Sequence, residues 1–354
     1  MIVNQWVPAA HVGDAVGDSA RRVQGLLRSM GHVSDLYAIT IDDELKGLVR
    51  PFDDEHAGRG DVTILHFALI SPMTPAFARL TGARVLQYHN VTPAHFFAPY
   101  DAKLFRLAQL SRQDLATLVG HVDLAVGDSD YNRLELERLG FERTGVMPIA
   151  IDTARITGAA RRPALEETLD DGLDNFLFVG RIVPNKRIED YIRLAELYRR
   201  YVSVDYRFIF VGRFDGVPAY YATVLALLRA YDFPPDRFIF TGPVPNEELA
   251  AYYRMATVYV SLSDHEGFCV PLLEAMAADV PVMAYASTAV PDTLGGAGVL
   301  FSPKDLEYAA ELLGTLTFDD AVRRAVVAGQ RRRLSEFGDA RIERDLRAIL
   351  GRLP

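Results

Sequence analysis

Three segments in the second half of the chain echo one another: Phe176-Leu-Phe-Val-Gly, Phe208-Ile-Phe-Val-Gly and Phe238-Ile-Phe-Thr-Gly. Each is an unbroken apolar run that stops at a glycine. Such runs are the pattern of parallel strands buried on both faces, because a sheet with one wet face would show alternation instead. Two more apolar runs follow, Val258–Leu262 and Val280–Ala284, with amphipathic stretches between. The first half has the same rhythm. Its strand candidates are Ile2–Val7, Leu36–Ile39, Val62–Phe67, Arg84–Tyr88, Leu124–Val126 and Gly145–Ile149, and its helical stretches include Ala15–Ser29 and Ala102–Val119. This alternation predicts an α/β fold with a doubly wound parallel sheet in each half. Ligands of such sheets bind at the carboxyl ends of strands, so the loops there are where chemistry is expected.

A chain of 354 residues suits two domains. The stretch from Asp152 to Asn175 has lost periodicity and is rich in charge and turn formers, as linkers are. The expected organisation is a first domain over 1–152, a linker over 153–175 and a second domain over 176–334. A final helix near Arg341–Leu350, within 335–354, is expected to pack back on the first domain. Net charge is −9, which disfavours nucleic acid as the main partner. The single cysteine, Cys269, rules out an internal disulfide and points to a reducing, cytoplasmic compartment. The N-terminus lacks the basic and apolar regions of a signal peptide, and no run of 18 apolar residues occurs.

The segment Ser263-Asp-His-Glu-Gly-Phe-Cys-Val-Pro-Leu-Leu-Glu-Ala-Met follows a strand and enters a helix. Pro271 fits a first helical turn, where a missing N–H costs nothing. Glu266 sits in the loop, and Glu274 lies eight residues on. Gly267 permits close backbone approach, and helix-start amides favour anionic oxygens. Two acids that accept from hydroxyls, beside amides that face phosphate, make a cradle for a sugar diphosphate. The plainer reading, a strand–loop–helix with solvated acids, has comparable weight on spacing alone. In Phe178-Val-Gly-Arg-Ile-Val-Pro-Asn-Lys-Arg, Gly180 and Arg181 end a buried strand, and Lys186 follows five residues after Arg181. Arg as a planar fork and Lys as a point charge suit a diphosphate. In Val85-Leu-Gln-Tyr-His-Asn-Val-Thr-Pro, His89 ends another apolar strand.

The pattern His-Glu-Gly-Phe-x-x-Pro-x-x-Glu-Ala, with Glu266-x7-Glu274, resembles the signature of the retaining GT-B glycosyltransferases (glycosyltransferase family 4-like, glycosyl transferases group 1). The likeness extends over nearly the whole chain. It implies a GT-B fold of two Rossmann-like domains facing across a cleft. It implies that Glu266 meets donor-sugar hydroxyls, that Glu274 holds the ribose, and that the amides around Gly267, Phe268, Cys269 and Val270 lie against sugar and diphosphate. Cys269 departs from the small residue common there. Arg181 and Lys186, after the strand-ending Gly180, match the pair of cations that neutralises the leaving diphosphate. His89 matches a histidine near the reacting sugar carbon, touching the sugar through backbone and side chain. Asn90 and Thr92 are candidate acceptor contacts.

The resembled family carries a Gly-Gly pair after the first strand. Here Gly13, Asp14 and Gly17 occupy that loop, with Asp14 a candidate for an acceptor hydroxyl and Asp18 or Ser19 a helix cap. Gly127-Asp-Ser-Asp-Tyr-Asn resembles a strand-end segment at the interdomain cleft, and Val146-Met-Pro-Ile-Ala-Ile-Asp resembles the hinge. Val244, in Thr241-Gly-Pro-Val-Pro-Asn, lies where the base docks, and Ala286–Asp292 is a further phosphate-contacting loop. The expected activity is transfer of a hexose from a UDP- or GDP-sugar to a hydroxyl of a saccharide, lipid-linked or small-molecule acceptor, with retention. The nucleotide sugar is a co-substrate. No tightly bound cofactor and no metal is expected, since two side-chain cations can neutralise the diphosphate and no His/Cys cluster with ligand spacing is present. Peripheral membrane contact stays open. A GT-B phosphorylase, a sugar-nucleotide epimerase and an inactive nucleotide-binding subunit are the alternatives.

Overall fold

The computed structural model describes residues 1–53 and 56–354. The chain divides into two units. The first holds Met1–His95, Lys103–Asp152 and Glu336–Pro354; the second holds Phe96–Ala102 and Thr153–Ser335. The segment expected as a linker carries two short helices, Ala154–Thr157 and Pro163–Leu169, and packs within the second unit. Buried Ile156, Glu166 and Leu169 are the reason: side chains spaced along those turns reach a core that charge-rich composition hid.

The first unit contains a seven-stranded sheet. Its strands are β1 (Val3–Ala10), β2 (Leu36–Ile41), β3 (Arg50–Pro51), β4 (Val62–Phe67), β5 (Ala83–Tyr88), β6 (Leu124–Gly127) and β7 (Thr144–Val146), in the order β3-β2-β1-β4-β5-β6-β7. Every pairing is parallel. The helix Asp339–Leu350 adds Ile342, Leu346 and Ile349 to the same core as Val3, Val23, Val62 and Val85. The helix Ala102–Ala116 ends three residues before the apolar pattern does, in a turn closed by Gly120 at φ 77°.

The second unit contains β8 (Asp174–Val179), β9 (Tyr206–Val211), β10 (Phe238–Gly242), β11 (Val258–Ser261), β12 (Val282–Tyr285) and β13 (Val299–Phe301), ordered β10-β9-β8-β11-β12-β13. The three echoing segments are β8, β9 and β10, and their register explains the echo. Phe176 pairs with Phe208, which pairs with Phe238; Phe178 pairs with Phe210, which pairs with Phe240. The rings run as two ladders across the sheet, with centroids 5.2 Å apart for Phe176–Phe208 and 4.8 Å for Phe210–Phe240. Aromatic neighbours on adjacent strands stabilise a sheet beyond the area they bury. The closing glycine has its own cause: a Cβ on Gly212, at φ 139°, would run into the Gly180 carbonyl.

Strand order reverses beside β8 in this sheet and beside β1 in the other. Ligand crevices of doubly wound sheets open at such reversals, at the strands' carboxyl ends.

Candidate functional site

The carboxyl ends of β8 and β11, neighbours at the reversal in the second unit, carry the two charged motifs. After β8 the chain passes Gly180 and the exposed Arg181 and turns through Pro184–Lys186. After β11 it runs Asp264-His265-Glu266 into the helix Val270–Ala277. Asn185 joins the two loops: its carbonyl accepts from the Asp264 amide at 2.8 Å, and its side-chain amide donates to the His265 carbonyl at 3.0 Å. Lys186 Nζ lies 2.6 Å from Glu266 Oε1. The two side chains are only 17% and 8% exposed, so the pair is largely shielded from water.

Thr288 fixes Glu266 from the other side. Its hydroxyl accepts from the Glu266 amide at 2.8 Å and donates to the Glu266 carbonyl at 2.8 Å. Thr288 holds φ at 45°, a region a β-branched residue seldom enters, so the neighbouring structure over-determines the turn. Beneath the loop, Lys304 Nζ lies 2.7 Å from Asp264 Oδ1, 2.9 Å from Asp190 Oδ2 and 2.6 Å from the Leu262 carbonyl. Burial opposes ionisation of Asp190, yet Lys304 and Arg187 together hold its carboxyl below the usual range. By contrast, the Arg181 guanidinium has no partner among the described residues.

The helix Val270–Ala277 starts at Cys269, whose φ of 70° turns the chain into it without a side-chain cap. Pro271 has no N–H and the Leu272 amide donates to the Cys269 carbonyl at 3.1 Å, which leaves the Val270 amide for another acceptor. Pro271 lies in its first turn, and Glu274 comes one turn later than the start. Both Glu274 oxygens are taken. Oε1 accepts from Arg155, and Oε2 accepts from the Tyr253 hydroxyl at 2.8 Å. Burial, reinforced by Glu274, pushes the Tyr253 phenol well up, so it donates as a neutral hydroxyl. Burial likewise pushes the Cys269 thiol up, with Glu266 adding to the effect, which leaves it a small apolar side chain. Gly267 and Val270 are half-buried and Phe268 is buried. Val244 is half-buried between β10 and the helix Asn246–Arg254.

In the first unit, Gly13 has φ 79° and precedes Asp14, which caps the helix Ala15–Ser29 by accepting from the Gly17 amide at 2.9 Å. The cap is Asp14, then, and neither Asp18 nor Ser19; those two lie inside the helix, where Asp18 pairs with Arg21 and buried Ser19 accepts from the Ala150 amide. Asn90 has φ 73° and donates to Asn132 at 2.8 Å and Glu135 at 3.2 Å, so its side chain serves the local fold. Thr92 is half-buried nearby. The His89 ring is 1% exposed, and both its nitrogens are engaged, Nδ1 with Asp128 at 2.8 Å and Nε2 with His66 at 2.9 Å. The side chain thus has no free nitrogen for a ligand while that arrangement persists.

Lys304, Arg155 and Tyr253 complete the second-unit site without a local motif to mark them, while Asn185 and Thr288 lie in segments already singled out for other residues. His66 had a signal, since a histidine inside the apolar run Val62–Phe67 must find a buried partner. Among the described residues no group of three His, Cys, Asp or Glu is placed to hold a metal. No helix is long and apolar enough to cross a membrane among them.

Known proteins share this architecture. The chain is 28% identical over 156 residues to the serotype-specific mannosyltransferase WbdA of Escherichia coli, a match covering 44% of this chain and 19% of that protein. It is 34% identical over 240 residues to D-inositol 3-phosphate glycosyltransferase of Kineococcus radiotolerans, covering 62% of this chain and 55% of that one. The chain thus matches well under two thirds of the length of these curated relatives. Among solved structures, Anabaena Alr3699/HepE in complex with UDP-glucose superposes with a TM-score of 0.76 over 99% of each chain, at 15% identity. That likeness shows the fold, GT-B with two Rossmann-like parallel-sheet units. Residues 166–334 match the family described as Glycosyl transferases group 1. Those residues carry the loops after β8 and β11, so the similarity to that family lies in the part of the chain that holds both charged motifs.

Proposed function

We propose that the chain is a retaining glycosyltransferase that moves a hexose from a UDP- or GDP-sugar to a hydroxyl of a saccharide, lipid-linked or small-molecule acceptor. One observation carries the reading: the Arg181–Lys186 loop and the Glu266–Glu274 segment meet at the strand-order reversal, joined by Asn185 and the Lys186–Glu266 pair. Cations, a carboxylate and an uncapped helix start then lie on one sheet edge. The relatives named above act as a mannosyltransferase and an inositol-phosphate glycosyltransferase, and the HepE structure holds UDP-glucose.

In this mechanism Arg181 and Lys186 bind the departing nucleoside diphosphate, with the amides from Gly267 to Val270 opposite more of its charge. Lys186 exchanges part of its Glu266 contact for phosphate, which frees Glu266 Oε1 for a sugar hydroxyl. Glu274 accepts from the ribose hydroxyls. His89 contributes its backbone at the donor sugar, and Gly13 with Asp14 lines the turn after β1. The acceptor hydroxyl attacks from the face the diphosphate leaves, and a phosphate oxygen takes its proton. No side-chain nucleophile is needed, and two side-chain cations do the neutralising.

A melting series with UDP, GDP, ADP and TDP tests this. A ligand at one hundred times its Kd should stabilise the fold by about 2.7 kcal/mol. The nucleotide that does so names the donor base. The anomeric configuration of the product, read by NMR, then tests retention. If none of the four shifts the melting curve, the assignment fails.

A further inference from the structure

A row of buried polar groups crosses four adjacent strands of the first unit. Gln5 on β1, His66 on β4, His89 just beyond β5 and Asp128 just beyond β6 are hydrogen-bonded in sequence. The contacts are 2.9 Å from Gln5 Oε1 to His66 Nε2, 2.9 Å from His66 Nδ1 to His89 Nε2, and 2.8 Å from His89 Nδ1 to Asp128 Oδ2. The two imidazole planes are parallel to within 6° with centroids 5.2 Å apart, an arrangement compatible with in-plane N–H···N bonding. Gln5, His66 and Asp128 are each no more than 1% exposed, so water does not complete these bonds.

Both ends of the row are fixed as acceptors. At one end the Gln5 amide nitrogen donates at 3.0 Å to the Ala20 carbonyl, which can only accept. That sets Gln5 Oε1, another acceptor, toward His66. At the other end Asp128 Oδ1 accepts from the Gln87 amide, whose nitrogen also faces the Met147 carbonyl, so Gln87 cannot be turned round. Three contacts between acceptor ends need three protons. Two neutral imidazoles carry two. With only two, one pair of lone pairs would face each other in the dry interior, at the cost of an unmade buried bond, and the row would carry Asp128's charge uncompensated. A third proton removes both penalties. A carboxyl is intrinsically the stronger acid, so that proton belongs on imidazole.

We propose that Gln5, His66, His89 and Asp128 form one chain holding three protons, in which His89 is a buried imidazolium paired with Asp128, and His66 and Asp128 are its positioning residues. His66 is the neutral member: burial and the neighbouring His89 hold its proton affinity well below the usual histidine range. The groups facing the two rings are Gln5 from β1, Gln87 from β5 and Asp128 from β6, with the Ala20 carbonyl closing the row from the helix Ala15–Ser29. The chain holds the His89 ring in one orientation at the carboxyl edge of the sheet. Its kinetic consequence, though not its protonation, rests on the reading of the protein as a glycosyltransferase.

The test is nitrogen NMR of the full chain labelled at histidine, from about pH 6 to about pH 8. His89 should show two protonated ring nitrogens throughout, and His66 one protonated Nε2. A His89 ring with a single protonated nitrogen overturns the proposal, whichever nitrogen it is. H66Q retains a donor toward Gln5 and an acceptor toward His89, so it should preserve the His89 signature; H66A should lose it. In turnover with the nucleotide sugar, H66A should lower kcat on the order of tenfold to a hundredfold with H66Q restoring most of it, while the melting shift with nucleotide stays as in the parent. Equal losses in H66A and H66Q overturn the positioning role. Correct nitrogen spectra with no turnover of any donor would instead count against the transferase reading alone.

Discussion

Lys186 and Glu266, eighty residues apart in sequence, meet with Nζ 2.6 Å from Oε1 at the edge where strand order reverses. The two form an ion pair largely shielded from water. Removing one leaves a shielded, unpaired charge, while removing both does not. K186A and E266A should each abolish most of the nucleotide melting shift or turnover, and their double mutant should be more stable than the sum of the two losses predicts. A cycle of unfolding free energies reads the coupling, expected at about 0.5–3 kcal/mol. Strictly additive stabilities would show that the pair is incidental.

Arg181 differs from Lys186 in having no partner to lose among the described residues. R181A should therefore leave unfolding within about 0.5 kcal/mol of the parent, as exposed substitutions do. If it meets developing charge on the leaving diphosphate, kcat should fall by about 10²–10³-fold. R181K, lacking the planar fork, should recover only part of the loss. A variant with lowered stability and unchanged kcat would assign Arg181 to the fold.

Glu274 presents no free oxygen, since Arg155 and Tyr253 occupy one each. A ribose reaching it must displace or share one of these contacts. Y253F keeps the ring and removes one buried donor, which should weaken nucleoside diphosphate binding by about 0.5–1.5 kcal/mol, or roughly threefold to tenfold. Inorganic pyrophosphate, which lacks a ribose, should bind Y253F and the parent alike. Calorimetry with UDP, GDP and pyrophosphate separates the two; equal weakening for all three would place Tyr253 outside the ribose contact.

The sheets, and the loops that carry Arg181, Lys186, Glu266 and Glu274, were legible because their determinants are local. A buried parallel strand must be apolar along its whole length, and Val62–Phe67 and Phe238–Gly242 were bounded correctly on that ground. Strand ends were harder. β1 continues to Ala10 through Pro8, and β7 stops at Val146 before its apolar run does, because pairing with a neighbour decides where a strand ends. The partners of the charged residues were not legible at all. Lys304 lies forty residues from Asp264, and Arg155 lies 119 from Glu274. Only the three-dimensional closure of the sheet brings them together. The capping role of Asp14 was hidden for a related reason: one of its oxygens accepts from the Gly17 amide, a local use that a list of polar loop residues conceals.

Lys304 supports the loop that carries Glu266 rather than touching Glu266 itself. Its ammonium bridges Asp190, Asp264 and the Leu262 carbonyl over the ring of Tyr285. K304M keeps the aliphatic stem and removes the charge. Asp190 retains Arg187 and Arg193, so the stability cost should be about 1–3 kcal/mol, below that of an entirely unpaired buried carboxylate. Nucleotide affinity should fall with it, because the Asp264–Glu266 backbone loses an anchor. Denaturant unfolding and the nucleotide melting shift measure the two effects; a loss of stability with wild-type affinity would show that the loop is fixed by Thr288 and Asn185 alone.

Acid sensitivity should have an identifiable source in Glu166. Its Oε2 accepts from Arg161 Nε at 2.8 Å, and its Oε1 accepts from Arg254 at 2.8 Å, tying the helix Pro163–Leu169 to the helix Asn246–Arg254. Arg161 first, and then Arg254 against the opposing effect of burial, lower the carboxyl from 4.5 to about 2. A carboxyl whose proton affinity falls on folding contributes stability that is fully present above its unfolded value and is lost as pH drops to its folded value. The contribution is therefore complete above pH 4.5 and gone near pH 2. E166Q should unfold more easily than the parent at neutral pH, and the gap should close across that window. Melting temperatures of both proteins taken from pH 7 downward provide the check, and curves that stay parallel to the acid limit would remove Glu166 as the cause.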